Sequence, residues 1–372
     1  MRGNFGEHFR LTLFGESHGG GIGVVIDGVP AGTPIDEAYL ASQMRRRAPG
    51  NDPTATSRKE ADQVRLVSGV LNGFAEGTPI LCLIENTNTH SKDYSELAAK
   101  MRPGHADYAA RIKYRGYNDV RGGGPFSGRL TAPLVAAGSI ARQMLSSRGI
   151  SIASHIAAIG PVLDTPFSRL DIDSALLERL SSSPFPLIDP SREGPMREAV
   201  EAARQSLDSV GGCIECTATG VPAGIGSPFF GSVESIFSHL AFSVPAVKAV
   251  EFGDGRDIAA MRGSQANDQM AFTSGRVTCL TNHNGGITGG ITNGMPILIR
   301  TSIKPTPSIG QIQQTVDMVR RENAALAITG RHDPCIVPRA CVVMESILAI
   351  TLCELIMDDA AQHPFAKEQE QL

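Results

Sequence analysis

Apolar residues fall along this chain in two rhythms. Alternating or short continuous apolar runs predict strands at residues 9–13 (FRLTL), in GVVIDG from Gly23, and at 64–71, 78–85, 150–159, 213–219, 247–253 and 296–303. Spacings of three and four predict helices elsewhere. One starts from Asp36, a side chain suited to capping, carries Leu40 and Met44 on one side, and ends in Arg45, Arg46 and Arg47 before Ala48-Pro49-Gly50 stops it. A second follows a run of glycines, with Leu130, Leu134, Ala137, Ala141 and Met144 near helical spacing, Pro133 in or near its first turn and Gly149 at its C-terminal cap. Further helices are expected at 169–181, at 195–208 and, apolar throughout, from about Ala340 to Leu355, with a polar end beyond Asp358 that frays. Asn72-Gly73 reads as a hairpin turn, residues 102–108 (RPGHADY) open a short helix, and residues 282–294 form a Gly/Asn-rich turn.

One pattern repeats. Gly69, Gly73, Gly77, Pro79, Ile80 and Leu81 match Gly286, Gly290, Gly294, Pro296, Ile297 and Leu298 at one fixed offset. Two copies of a sheet-plus-helix unit would make one pseudo-symmetric domain, whereas a length of 372 residues alone permits one domain or two. We take residues 1–358 as a single catalytic domain and 359–372 as a polar tail.

Composition narrows the function. Lys and Arg total 34 against 38 Asp and Glu, a net charge of −4, so neither a nucleic-acid nor a membrane surface is indicated and any anion site must be local. Forty glycines, no tryptophan and 5% aromatic residues describe many tight turns and close backbone approaches. Seven cysteines lie mostly in apolar runs, as reduced buried thiols do; Cys213 and Cys216 have redox or half-zinc spacing, but no second pair or nearby histidine completes a metal site. No apolar run approaches the roughly 18 residues needed to span a bilayer, and a cytoplasmic protein is expected.

Chemistry concentrates in four loops marked by glycine or proline: His18 in GESHG, His105 in RPGHADY, Ser127 and Arg129 in GGGPFSGR, and Arg331 with Asp333 in GRHDP. Gly122, Gly123 and Gly124 cost backbone entropy, so they suit main chain that must approach something closely at a helix start, where bare N–H groups attract phosphate or carboxylate. Each motif alone also has a plain structural reading: an ordinary turn, a satisfied histidine, a dipole-matched arginine cluster, a local Arg331–Asp333 ion pair. Together they suit a small polyanionic substrate and acid–base chemistry. A Walker loop and an HExxH pair are absent from the sequence, and GGGIG lacks the acidic partner of a dinucleotide site. The turn from Lys304 to Ser308, beside the Gly285–Gly290 loop, suits a phosphorylated cofactor.

Six blocks, FGESHG at 14–19, RPGHADY at 102–108, GGG..SGR at 122–129, NHNGGITGG at 282–290, KPTPS at 304–308 and GRHDPC at 330–335, resemble the chorismate synthase family in order and rough spacing, from Gly3 to about Met357. The resemblance implies an α+β sandwich of helices between antiparallel sheets. It implies a homotetramer with FMN bound partly across subunits, and a lyase that requires reduced FMN. That lyase would eliminate phosphate and a ring hydrogen from 5-enolpyruvylshikimate 3-phosphate, giving chorismate for aromatic amino acid biosynthesis. It assigns Arg46, Arg102, Arg129 and Arg331 to substrate anions, His18 to protonation of the departing phosphate, His105 to the flavin's proton and charge, and Asp333 to removal of the ring proton. It assigns Phe126, Ser127, Ala246, Gly289, Lys304, Pro305, Thr306, Pro307, Ser308 and Arg331 to FMN.

Three positions depart from the family pattern. Pro125-Phe126-Ser127-Gly128-Arg129-Leu130-Thr131 stands where Arg-Ser-Ser-Ala-Arg-Glu-Thr is common, an expected arginine is replaced by Pro53 or displaced to Arg58, and Pro245-Ala246 replaces Asn-Ala. From these we expect an external flavin reductant rather than NADPH bound in place. The competing classes are a flavin-binding or redox-sensing protein on the same fold, which would not need His18, Asp333 and four arginines together, and a plain flavin oxidoreductase, for which no nicotinamide site is evident in the sequence.

Overall fold

The computed structural model describes residues 3–48, 62–86, 99–273, 275–328 and 333–363. In the first half the elements are β1 (Asn4–Phe5), β2 (Arg10–Gly15), β3 (Gly21–Asp27), α1 (Glu37–Arg47), β4 (Val64–Ser68), β5 (Val70–Leu71), β6 (Phe74–Ala75), β7 (Ile80–Glu85), α2 (Asp107–Lys113) and α3 (Thr131–Ser146). There follow β8 (Ser151–Ile159), β9 (Val162–Leu163), α4 (Ser174–Ser182), α5 (Glu193–Gln205), β10 (Gly212–Thr219), α6 (Val233–Ser243) and β11 (Val247–Phe252). The chain continues through α7 (Gly263–Ala266), β12 (Met270–Thr273), β13 (Arg276–Cys279), β14 (Ile287–Thr288), β15 (Ile291–Thr292), β16 (Ile297–Ile303), β17 (Gln313–Asp317), β18 (Glu322–Leu326) and α8 (Val337–Gln362).

Two five-stranded antiparallel sheets carry the fold, ordered β1-β2-β3-β7-β4 and β11-β16-β10-β8-β9. Position for position, β2-β3-β7-β4 corresponds to β8-β10-β16-β11, with α1 and α6 at the same place in each unit and α3 and α8 closing each. The repeat read from the glycines is physical. Gly69 and Gly286 have φ of 82° and 80°, and a Cβ there would lie 2.7 Å from Pro79 O and 2.6 Å from Pro296 O. The hairpin β5/β6 is tied down by Gly32 N to Ala75 O (2.8 Å) and Ala75 N to Thr33 O (2.8 Å). In β14/β15 the same bonds recur as Gly224 N to Thr292 O (2.9 Å) and Thr292 N to Ile225 O (2.9 Å).

Helices fill the space between the sheets. α3 packs on β3 and β7, α8 on β8 and β10, and α3 and α8 pack on each other with α1 and α6 alongside. Covered on every side, α8 shows no polar stripe. It starts three residues before the expected Ala340 and stays helical through Gln362, past Asp358, where Gln362 Nε2 donates to Asp358 Oδ2 (2.8 Å). By length and composition it is apolar enough to cross a bilayer, contrary to the expectation that no run is; 89% of that stretch is buried inside the protein. Smaller shifts have local causes. The 64–71 strand carries a bulge between Leu66 and Ser68 and breaks at Gly69, whose φ is 82°, and α4 starts at Ser174 because Asp173 accepts from Ala175 N. The helix α6 and the hairpins β12/β13 and β17/β18 were not expected from the sequence.

Two contacts fix the helix layer. At the α3–α8 crossing a Cβ on Gly138 would lie 2.2 Å from Ser346 Cβ, so only glycine lets the helices approach. Glu345, fully buried in α8, accepts from Arg46 Nη1 and Nη2 on α1 (2.6 and 2.8 Å), Arg142 Nη1 on α3 (2.6 Å) and Ser154 Oγ on β8 (2.8 Å). Burial pushes its carboxyl up, and the two guanidinium groups more than reverse that, leaving it below the usual range.

Gly138→Ala should lower unfolding free energy by about 1–3 kcal/mol in urea titration, the cost of overpacking a tight crossing; an unchanged midpoint would mean the helices have room to part. Glu345→Gln strands two buried cations and should cost about 3–5 kcal/mol at pH 7. Because the folded carboxyl titrates below its unfolded value of about 4.3, its contribution is present above that pH and fades as pH falls further. The gap between wild type and Glu345→Gln should therefore narrow in acid; a pH-independent gap would contradict this.

Candidate active site

The triple-glycine loop runs between two histidines. Gly122, Gly123 and Gly124 have φ of 58°, 95° and 52°. A Cβ on Gly122 would fall 2.2 Å from His18 Cε1, and one on Gly123 would fall 3.1 Å from His105 Nε2. What the backbone approaches so closely is therefore imidazole on both sides. Ser17 N donates to Gly124 O (3.3 Å), and Ser17 Oγ lies 2.9 Å from Nδ1 of the buried His18.

The loop that carries His105 is held by ion pairs. His105 Nδ1 lies 2.7 Å from Asp107 Oδ1, and the same carboxylate accepts from Arg102 Nε and Nη2, both at 2.7 Å. Burial would raise Asp107; the hydrogen bonds from Arg102 and His105 hold its carboxyl far below the usual range. An ionised carboxylate only accepts, so Nδ1 carries the proton and Nε2 faces Gly123. Arg102, assigned from the sequence to substrate, is thereby paired within the chain and 7% exposed.

Beyond the glycines, Ser127 Oγ accepts from Arg129 N (3.3 Å) as the chain turns into α3. Arg129 pairs with Asp62, which also pairs with Arg47, and burial of Asp62 is outweighed by these two cations, so its carboxyl lies below the usual range. Arg47 Nη2 donates to Gly128 O (3.0 Å) and its Nε to Thr131 Oγ1 (3.1 Å); burial, with Arg339 nearby, pushes this guanidinium down to about 10. Arg339 Nε donates to Arg47 O (3.2 Å) and its Nη1 to Asp333 Oδ2 (2.6 Å). A continuous chain of contacts thus runs from Ser127 through Arg129, Asp62, Arg47 and Arg339 to Asp333.

Asn86, at the end of β7, ties this chain to the histidine loop. Its Oδ1 accepts from Arg129 Nε (3.0 Å), while its Nδ2 donates to Glu16 O and Gly19 O on either side of His18.

The second half supplies another edge. Lys304 N donates to Ala246 O (2.9 Å), Lys304 Nζ donates to Gly104 O next to His105, and a Cβ on Gly104 would lie 3.2 Å from Pro307 Cβ. Burial and the nearby Lys248 push the Lys304 amine down. Thr306 Oγ1 is buried and makes no hydrogen bond among the described residues, and the rings of Phe126 and Tyr114 meet at 6.2 Å. An orphaned hydroxyl and a cation on this turn fit the phosphate of a phosphorylated cofactor. Gly289 lies elsewhere, in the β14/β15 turn, whose Gly290 O accepts from Val233 N at the start of α6.

Sequence reasoning located His18, His105, Ser127, Arg129 and Asp333, and the fold joins them. It chose Arg46, whose guanidinium is instead bound to Glu345; the neighbouring Arg47 is the one that reaches Gly128 and Asp62. Arg331, Pro53 and Arg58 lie outside the described residues. Asp107 was visible two residues from His105 in the same motif, whereas nothing local marked Asp62, Asn86 or Arg339. A cavity of about 640 Å³ between α1, α4 and the start of α8 is lined by Arg45, Arg46 and Arg339 but by neither histidine.

These positions can be set against known proteins. The chain matches the family model described as chorismate synthase over residues 9–357. The chorismate synthase of Korarchaeum cryptofilum is 44% identical over 355 residues, covering 95% of this chain and 97% of that one. That of Lachnoclostridium phytofermentans is 45% identical over 355 residues, 95% of each. A solved structure described as a crystal structure of chorismate synthase aligns with TM-score 0.72 at 26% identity, covering 95% of this chain and 93% of the other. With sequence match, relatives and fold in agreement over nearly its whole length, the chain belongs to the chorismate synthase family, and it is a lyase.

Proposed function

We propose that the site around the triple-glycine loop uses reduced FMN to eliminate phosphate and a ring hydrogen from 5-enolpyruvylshikimate 3-phosphate, giving chorismate. The observation that carries this reading is the passage of Gly122–Gly124 between His18 and His105, with Arg129 in the next turn. The substrate brings a phosphate and two carboxylates, and guanidinium forks suit both groups. Arg129, with Arg331 from the family motif, takes these anions; Arg102 and Arg47 hold the surrounding loops, and Arg46 supports them through Glu345.

His18 gives a proton to the departing phosphate oxygen, so the leaving group departs with less charge. Asp333, oriented by Arg339, stands at the acceptor end for the ring proton. His105, held by Asp107 with Nε2 toward the glycines, stabilises charge on the cofactor side. Phe126, Ser127, Ala246 and the Lys304–Ser308 turn bind FMN, the turn offering Lys304 and the Thr306 hydroxyl. Reduced flavin, when bound, lends electron density as the C–O bond breaks and recovers it as the proton leaves, so no net redox change occurs. The buried arginine–carboxylate pairs keep charge fixed and water out. A homotetramer in the cytoplasm, supplied with reduced flavin by a separate reductase, completes the proposal.

With reduced FMN and substrate under anaerobic conditions, the protein should release phosphate and form chorismate in equal amounts; no phosphate would remove the proposal. His18→Ala and Asp333→Ala should each slow turnover at least ~10²-fold while FMN still binds, the size typical of acid–base groups. Loss of FMN binding in both would show that they hold the fold rather than move protons.

A further inference from the structure

We infer that Asn86 is a positioning residue for His18, an inference that rests on the reading of the site just given. Asn86 follows directly on β7, whose last residue Glu85 pairs with Gly21 at the start of β3, so it faces the loop that carries His18. Its Nδ2 donates to Glu16 O at 2.9 Å and to Gly19 O at 3.0 Å, the carbonyls that bracket Ser17 and His18. Its Oδ1 accepts from Arg129 Nε at 3.0 Å. Backbone carbonyls only accept and Arg Nε only donates, so the placement of the amide's oxygen and nitrogen is forced.

This side chain therefore fixes two things at once. It clamps both ends of the histidine turn, and it ties that turn to the cation expected to grip the substrate. The turn needs the clamp, because Gly19 and Gly20 follow His18 directly, and a Cβ on Gly20 would meet nothing within 4 Å. Elimination requires phosphate to be held and protonated in one place, so the separation of His18 from Arg129 is a catalytic distance. Aspartate keeps an acceptor for Arg129 but has no proton for the two carbonyls and turns a carboxylate toward them. Glutamine carries its amide one methylene too far.

The test is steady-state phosphate release, with reduced FMN and 5-enolpyruvylshikimate 3-phosphate, by wild type, Asn86→Ala, Asn86→Asp, His18→Ala and the double variant His18→Ala with Asn86→Ala. Wild-type turnover tests the function itself; only the ratios between variants test Asn86. Asn86→Ala should lower kcat by about 10- to 100-fold, as misplacement of a catalytic group does. Asn86→Asp should lower kcat by a similar factor while KM moves by less than about threefold, since Arg129 stays paired. On the His18→Ala background, adding Asn86→Ala should slow turnover by no more than about twofold, because the group it places is already gone. Full multiplication of the two effects would overturn the inference, as would kcat of Asn86→Asp within about twofold of wild type. Should Asn86→Ala fail to fold, the isosteric Asn86→Asp decides the matter by its kcat and KM.

Discussion

Everything in this molecule is referred to one buried carboxylate. Glu345 sits in the middle of the apolar α8 and is reached from α1, α3 and β8 by Arg46, Arg142 and Ser154. Removing these four polar groups from water at the centre of a sandwich is costly unless each finds its partner in the right direction, so the pairing favours one arrangement of the four elements. Its influence extends to the site through the next residue: with Arg46 held by Glu345, Arg47 is aimed at Gly128, Thr131 and Asp62. The frame and the chemistry share a helix turn.

The arginines around the site follow one rule. Arg102 is matched to Asp107, Arg47 and Arg129 to Asp62, and Arg339 to Asp333. A cluster of unmatched cations would repel itself and open toward water; matched, it is rigid and oriented before any substrate arrives. This explains how a chain with net charge −4 can present a cationic site: the charge is local, counted in pairs, and aimed by carboxylates from the same chain.

Much of this was legible in the sequence, for physical reasons that differ by residue. The glycines of the repeat are readable because each lies at positive φ, which side chains rarely adopt, and Gly69 and Gly286 also lie against a carbonyl. The Asp36 cap and its helix were readable because capping is local. His18, His105, Ser127, Arg129 and Asp333 stand out in the sequence because they lie in glycine- and proline-marked loops. Arg46 turns to Glu345 and Arg47 to the glycine loop because adjacent residues of a helix point in different directions, and which one faces that loop depends on Glu345, 299 positions from Arg46. Asp62, Asn86 and Arg339 act through partners distant in sequence, which no local pattern encodes. In the sequence α8 does not read as an apolar run of bilayer length because Glu345 and Glu354 interrupt it; in the fold Glu345 is paired and Glu354 accepts from the backbone of Glu7, His8 and Phe9.

The central claim is that a polyanionic ring compound is held between His18 and Arg129, across the glycine loop, and not in the neighbouring hollow beside α1. A crystal structure of the protein with FMN and 5-enolpyruvylshikimate 3-phosphate tests it most directly. The account predicts the phosphate within hydrogen-bond reach of both His18 and Arg129. Substrate seated instead in the cavity lined by Arg45 and Arg46, remote from both histidines, would contradict it.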